Sequence, residues 1–129
     1  MRNESKKKLL LNLTSKKITM TKEWPTKVLE ILKAGFSLQE IGIDNWAFKK
    51  PDALIAINKL ARIGIPIVKG EVLELMEGSL ERNYDGWECA FESGEPIIDY
   101  IRRSMNEAID YIEDYPTDPN ILFILTPAG

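Results

Sequence analysis

The sequence predicts an α+β domain, in which about three helices pack on a mainly antiparallel sheet of four to five strands. Three observations lead to this prediction. Two apolar patterns with helical spacing occupy the first half of the chain, short strand-like runs with turn signals follow, and a long amphipathic segment precedes a final apolar run. The 129 residues fit one domain, and a hydrophobic fraction of 44% is sufficient for a core.

The first 19 residues differ from the remainder and predict a disordered basic extension ahead of a single domain at residues 20–129. This extension carries six basic residues and one acid, and its apolar stretch is too short for the hydrophobic region of a secretory signal. Met20 would be a natural first residue if the extension results from the choice of start codon. A tail that touches a membrane or nucleic acid is the functional alternative, although basic tails are usually just solvated.

Two helices are predicted in the first half of the chain. Pro25 opens the first, and Gly35 is expected to end it in the left-handed C′ position. Pro51 opens the second and Gly64 ends it. The apolar stripes of the two helices are Val28, Leu29, Ile31 and Leu32, and Leu54, Ile57, Leu60 and Ala61.

The segment between these helices contains two local patterns. Residues 37–40 have the spacing of a capping box, which predicts one short turn. Residues 42–48 are interpreted as an irregular segment that brings Trp46 and Phe48 against the core. Trp46 is interpreted mainly as a core anchor at the start of the second helix.

The strand-like runs begin after the second helix. Residues 65–68 and 72–76 are strand candidates, and Glu77-Gly78-Ser79 is expected to form a hairpin turn. Residues 80–84 are the candidate for the second strand of this hairpin. Asp85-Gly86 predicts a second tight turn, and residues 87–91 form the next strand candidate.

The longest predicted helix spans residues 95–115 and is followed by a last strand. Its apolar face is expected to contain Ile98, Ile101, Met105, Ala108, Ile109 and Ile112. Ile121–Leu125 are five consecutive apolar residues, which predicts a strand that is buried on both faces.

Charge distribution narrows the class of partner. The chain has a net charge of −3, and removal of the basic extension leaves −8 on residues 20–129. An acidic domain argues against nucleic-acid binding, because that binding depends on the neutralisation of phosphates. It favours a basic protein partner. No apolar run approaches the roughly 20 residues of a membrane-spanning helix, so no membrane partner is expected.

The composition excludes several of the common catalytic arrangements. Histidine is absent, which removes the commonest general base and the usual zinc sites. Cys89 is the single cysteine, and we interpret it as a buried structural residue of a cytoplasmic protein. Pairs of carboxylates could still support hydrolysis or bind Mg²⁺ or Ca²⁺. The candidates are Glu71, Glu74, Glu81, Asp85 and Glu88.

Aromatic and acidic residues occur together in Tyr84-Asp85-Gly86-Trp87-Glu88. Tyrosine and tryptophan are favoured at protein interfaces because they bury a large area at little entropic cost. The turn at Asp85-Gly86 is expected to present Tyr84, Asp85 and Glu88 outward, while Trp87 folds back onto the sheet. A structural role and a binding role are about equally compatible with this pattern.

Several of these segments together resemble the Immunity protein 40 family of bacterial polymorphic toxin systems. The resemblance covers residues 28–115 and depends on the order of the segments GIDNWAF, GIPIVKGEV and YDGWEC and on the long helix after them. Lys69-Gly70 stands where the family pattern has a glycine pair. The resemblance implies a cytoplasmic protein that neutralises a toxin and has no catalytic residue, cofactor or metal.

The leading hypothesis is therefore an immunity protein, acting as a monomer or weak homodimer, that binds a cognate toxin domain such as a nuclease. The expected partner-binding residues are Tyr84, Asp85, Trp87, Glu88 and Glu92. A carboxylate-dependent enzyme or divalent-metal binder is the first alternative, and a protein–protein adaptor is the second.

Overall fold

The computed structural model describes residues 24–129, so the predicted extension at residues 1–19 lies outside the described part. The elements follow in this order: α1 (Thr26–Leu32), β1 (Phe36–Ser37), a 3₁₀ turn (Gln39–Ile41), β2 (Trp46–Phe48), α2 (Lys50–Arg62), β3 (Ile67–Met76), β4 (Ser79–Glu88), α3 (Ile97–Asp114) and β5 (Ile121–Pro127). Within residues 24–129, three helices and a five-stranded sheet confirm the predicted α+β class.

The sheet has the order β1-β2-β5-β3-β4, and every neighbouring pair is antiparallel. β5 is the central strand, and all seven of its residues are buried. This confirms the prediction that the final apolar run is covered on both faces, because a strand in the middle of a sheet places successive side chains on opposite sides. β4 lies at one edge of the sheet and is the longest exposed strand.

The main core lies between the helices and one face of the sheet. Its largest fully buried side chains are Val28, Leu32, Phe48, Ile57, Leu60, Ile67, Ile112, Phe123 and Leu125. Two polar contacts fix α3 within this layer. The Ser104 hydroxyl accepts a hydrogen bond from the Ile67 N–H at 3.1 Å, and Lys50 of α2 donates to the Tyr115 carbonyl at 2.7 Å at the end of α3.

The opposite face of the sheet has a second, smaller apolar cluster, composed of Leu38, Ala47, Leu73, Leu122 and Ile124. The connection between β1 and β2 covers it and is held by Asn45, whose side-chain amide donates to the Leu125 carbonyl at 3.0 Å. Lys69 and Glu71 of β3 lie on the same face as Leu73, because alternate residues of a strand point to the same side of the sheet. This part of the face therefore carries charged side chains instead of apolar ones.

Two predictions in the first half of the chain are wrong. Gly35 does not take a left-handed conformation; it is needed because a Cβ there would lie 2.7 Å from the Ala47 carbonyl oxygen. The segment expected to be irregular contains strand β2, which pairs with β5 at Ala47 and Phe48. The end of α2 agrees with the prediction, since Gly64 has φ 79°.

Two predictions in the second half are also wrong. β4 continues through Asp85-Gly86 without a turn, because Gly86 and Trp87 stay paired with β3. Ile98 is 61% exposed instead of buried, since the first turn of α3 does not lie on the core. The hairpin turn between β3 and β4 is confirmed, with left-handed Glu77 (φ 52°) and Gly78 (φ 82°).

Candidate functional site

A bulge interrupts β4 where the sequence predicted a turn. Glu71 pairs with Gly86 and Leu73 pairs with Arg82, so the three residues Asn83–Asp85 stand opposite one residue of β3. We call these three residues the β4 bulge. Tyr84 at its centre has φ 67°, a left-handed conformation that tyrosine rarely adopts. Its side chain is consequently directed away from the sheet and is 89% exposed.

Side chains from the bulge and from the end of α3 hold this conformation. The Tyr115 hydroxyl donates to Asp85 Oδ2 at 2.7 Å and accepts from Asn83 Nδ2 at 2.9 Å. The Asp85 N–H donates to Asn83 Oδ1 at 3.0 Å. Burial, and next the Asp85 carboxylate, raise the pKa of Tyr115, so the hydroxyl keeps the proton that it donates. The bulge is therefore tied to the helix layer.

Trp87 supports the bulge from the core side. It lies opposite Gly70, and its indole ring occupies the space that a side chain at position 70 would fill. The ring also packs against Tyr111, with centroids 4.7 Å apart. The expected inward orientation of Trp87 agrees with this geometry. Its Nε1 is buried and has no hydrogen-bond partner within residues 24–129.

On the other face of the sheet, the bulge borders a shallow depression of about 390 Å³. Its lining includes Lys69, Glu71, Tyr84, Asp85, Gly86 and Glu88. Glu71 is neutralised by an ion pair with Arg82 and by Lys69 at 3.9 Å. Asp85 and Glu88 form no ion pair in the described part of the chain. Asp85 Oδ2 accepts the Tyr115 hydroxyl, and the negative charge of both carboxylates is left without a cationic partner there.

The structure brings together four of the five expected partner-binding residues, Tyr84, Asp85, Trp87 and Glu88, around this depression. Glu92 is separate: it belongs to the connection between β4 and α3, where its side chain is 72% exposed and 3.9 Å from Arg103.

Sequence reasoning missed two residues that shape the site. Asn83 directly precedes the Tyr-Asp-Gly segment and could have been suspected as the residue that stabilises a backbone irregularity. Tyr115 is 30 residues from Asp85, and nothing local indicates its role.

Arg103 anchors the connection from β4 to α3. Its guanidinium forms a bidentate pair with Glu95, at 2.9 Å and 2.7 Å, and donates to the Ala90 carbonyl at 2.8 Å and to Cys89 Sγ at 3.2 Å. Arg103 lowers the pKa of Glu95. Cys89 is 2% exposed, and burial followed by the nearby Glu107 carboxylate raises its pKa. A buried thiol with a raised pKa is a poor nucleophile.

Charge is distributed unevenly over the fold. Residues 63–129 contain 14 acids and four bases, whereas residues 24–62 contain four acids and six bases. β3, β4 and α3 together are therefore strongly acidic, whereas α1 is neutral and α2 is weakly basic. Glu74 and Glu81 even stand directly opposite each other across β3 and β4, an arrangement that destabilises a sheet.

Within residues 24–129, no group of three or more acidic or cysteine side chains is arranged to hold a metal ion. No helix in that range is long and apolar enough to cross a membrane. An exposed aromatic held in a fixed conformation beside unpaired carboxylates is typical of a surface that binds another protein.

The model of the family Immunity protein 40 matches residues 37–127, and the chain belongs to this family. The match confirms the resemblance seen in the sequence. It extends from β1 to β5 and includes the β4 bulge. Membership indicates a role in toxin neutralisation and points to a non-enzymatic function. Searches of curated proteins and of solved structures return no match to this chain.

Proposed function

We propose that this protein neutralises a cognate toxin by binding it through the surface around the β4 bulge. One observation carries the placement: Tyr84 is 89% exposed in a left-handed conformation that Asn83, Asp85 and Tyr115 hold in position. Strained, exposed residues persist only where the surrounding structure fixes them, and they cluster at functional positions. Asp85 and Glu88 follow the tyrosine on β4 and line the same depression, and Glu92 adds an exposed acidic side chain in the connection after β4.

Tyr84 is the expected anchor of the complex. A tyrosine fills a pocket with a large rigid ring, and its hydroxyl can bond at the polar rim. Because the bulge is already ordered in the free chain, little conformational freedom remains to be lost on binding. Tyr84 should therefore govern the dissociation rate.

The acidic residues are expected to govern the association rate. The excess of ten negative charges on residues 63–129 would attract a basic surface, and such steering raises association rates. Nucleases bind their substrates through basic surfaces. We therefore favour a nuclease toxin, whose substrate-binding surface the acidic side chains would occupy in place of phosphates. The expected location is the cytoplasm, and the expected state is a monomer or weak homodimer.

The probe for this proposal is the toxin domain encoded immediately upstream, carrying a substitution that abolishes its activity. Tyr84→Ala should raise the dissociation rate by about tenfold to a hundredfold, as expected for an interface anchor. Phe36→Ala is the matched control, since Phe36 is an exposed aromatic at the opposite edge of the sheet. The proposed function would be rejected if no toxin gene lay beside this one. It would also be rejected if the wild-type chain neither bound the toxin domain nor protected cells from its active form.

A pair of charge reversals tests the electrostatic part. Glu88→Lys with Glu92→Lys should slow association by about tenfold or more at low salt. Glu40→Lys with Asp44→Lys changes the net charge equally at exposed positions of the β1–β2 connection. Equal association rates for the two double variants would show that Glu88 and Glu92 do not steer the toxin to this surface.

A further inference from the structure

A second exposed surface lies beside the β4 bulge, where β4 leads into α3. Phe91, Ile97 and Ile98 are 52%, 59% and 61% exposed, within a span of eight residues. We call these three residues the α3 entry patch. Clusters of exposed large apolar side chains mark interaction sites more often than scattered single ones do. The amphipathic pattern of α3 does not require them, because its core face begins with Tyr100 and continues through Ser104 and Ala108.

The backbone beneath the patch is fixed by strong contacts. Arg103 binds both oxygens of Glu95 and the Ala90 carbonyl, on either side of Phe91 in the connection. The Tyr100 hydroxyl donates to the Cys89 carbonyl at 2.7 Å, and the Tyr100 ring meets the Phe91 ring edge-on at 5.3 Å. The apolar side chains therefore project from a rigid support, as interface anchors do.

Acidic side chains occur within and next to the segment that carries the patch. Glu92 is 72% exposed, and Asp99 is exposed with Arg102 3.9 Å away as its partial counter-ion. Glu88 ends the neighbouring strand. A partner that fits this surface presents apolar side chains at its centre and cations at its rim. The basic toxin domain proposed above has that chemistry, whereas a second copy would oppose acid to acid.

The patch and the β4 bulge are close enough to belong to one interface. Tyr84 and Glu88 are four residues apart on β4, or about 14 Å in extended backbone, and Phe91 follows three residues later. A standard interface covers about 800 Å² on each partner, a disc about 30 Å across. One interface of this size can therefore include both Tyr84 and the α3 entry patch, with Glu88 between them along the chain.

From these observations we infer that the α3 entry patch is the second apolar anchor of the toxin interface, with Ile97 and Ile98 buried on binding. This inference rests on the proposed function and extends its contact surface beyond β4. Arg103 is then a positioning residue, because it fixes the segment that carries the patch.

The test measures dissociation from the inactive upstream toxin domain. Ile97→Ser with Ile98→Ser should raise Kd by about 30-fold or more, from the lost burial of two half-exposed isoleucines. Ile41→Ser with Ile55→Ser is the matched control, because these isoleucines are also exposed, at 43% and 53%, but lie elsewhere. The control variant should change Kd by less than about threefold.

Each other result has a defined meaning. If wild-type chain binds and Ile97→Ser with Ile98→Ser binds equally well, with an unchanged melting temperature, the inference is wrong while the proposed function stands. A wild-type dimer that becomes monomeric in this double variant would assign the patch to a second copy and overturn the inference. Failure of wild-type chain to bind would instead remove the proposed function.

Discussion

Substitution of Gly70 by alanine probes the support of the β4 bulge. A Cβ on Gly70 would lie 2.0, 2.3 and 2.4 Å from three atoms of the Trp87 indole. The ring has no flexible end that could move aside, and Tyr111 packs against it. Gly70→Ala should therefore displace the indole or the strand, and overpacking of this kind lowers the free energy of unfolding by about 3 kcal/mol.

Urea denaturation followed by far-ultraviolet circular dichroism measures this loss. With an m-value of roughly 1.5 kcal/mol/M, the midpoint should fall by about 2 M. The matched background is Trp87→Leu, which opens the space above Gly70. In that background Gly70→Ala should change the free energy of unfolding by less than about 1 kcal/mol, because alanine also restricts the unfolded chain.

The double-mutant cycle should consequently give a coupling energy of about 2–3 kcal/mol between Gly70 and Trp87. Equal losses of stability from Gly70→Ala in the two backgrounds would refute the reasoning. In that case the Trp87 ring would not be what requires glycine at position 70.

Three further predictions concern the bulge and the connection that follows it. Tyr115→Phe removes the hydrogen bond to Asp85, so it should lower the free energy of unfolding, measured by urea denaturation, by about 1–2 kcal/mol. It should also speed amide exchange in the β4 bulge. Unchanged amide exchange would contradict the role of the hydroxyl. Arg103 lowers the pKa of Glu95 below its ordinary value of 4.5, so its stabilisation is present above pH 4.5 and is lost as the pH falls through the folded-state value. Between pH 6 and pH 3, the melting temperature should fall more steeply for wild type than for Glu95→Gln. Parallel curves of melting temperature against pH would contradict a stabilising Arg103–Glu95 pair. Cys89 should resist iodoacetamide at pH 8 in the native chain and react in urea, because burial raises its pKa; rapid native labelling would show that the connection opens.

Much of the fold follows from local patterns in the sequence. α2 and α3 have helical apolar spacing, Gly64 and the Glu77-Gly78 turn require left-handed backbone, and the apolar run of β5 needs cover on both faces. In each case the local preference and the tertiary environment favour the same structure.

The errors arise where tertiary contacts override local preference. Asp85-Gly86 has the composition of a turn, but pairing with β3 keeps Gly86 in the strand and Tyr84 takes the left-handed conformation instead. Ile98 has the correct helical spacing for the core, yet its exposure depends on where the sheet ends beneath α3. Sequence spacing contains no information on that boundary.

The sequence predicts that the candidate residues lie close together, but it does not predict which contacts support them. The grouping of Tyr84, Asp85 and Glu88 was visible in one short segment, and the structure places all three around one depression. Their support depends on Tyr115 and Gly70, which are distant in the sequence and reach the site only through the packing of α3 and β3. The α3 entry patch was hidden for the same reason.

Hydrogen–deuterium exchange of the full chain, free and bound to the inactive upstream toxin domain, tests the proposed interface most directly. Amides of residues 83–98 should exchange more slowly in the complex, since they contain the β4 bulge and the α3 entry patch. Amides of residues 26–62 should be unchanged. Protection confined to residues 26–62, with exchange across 83–98 unaltered, would contradict the account.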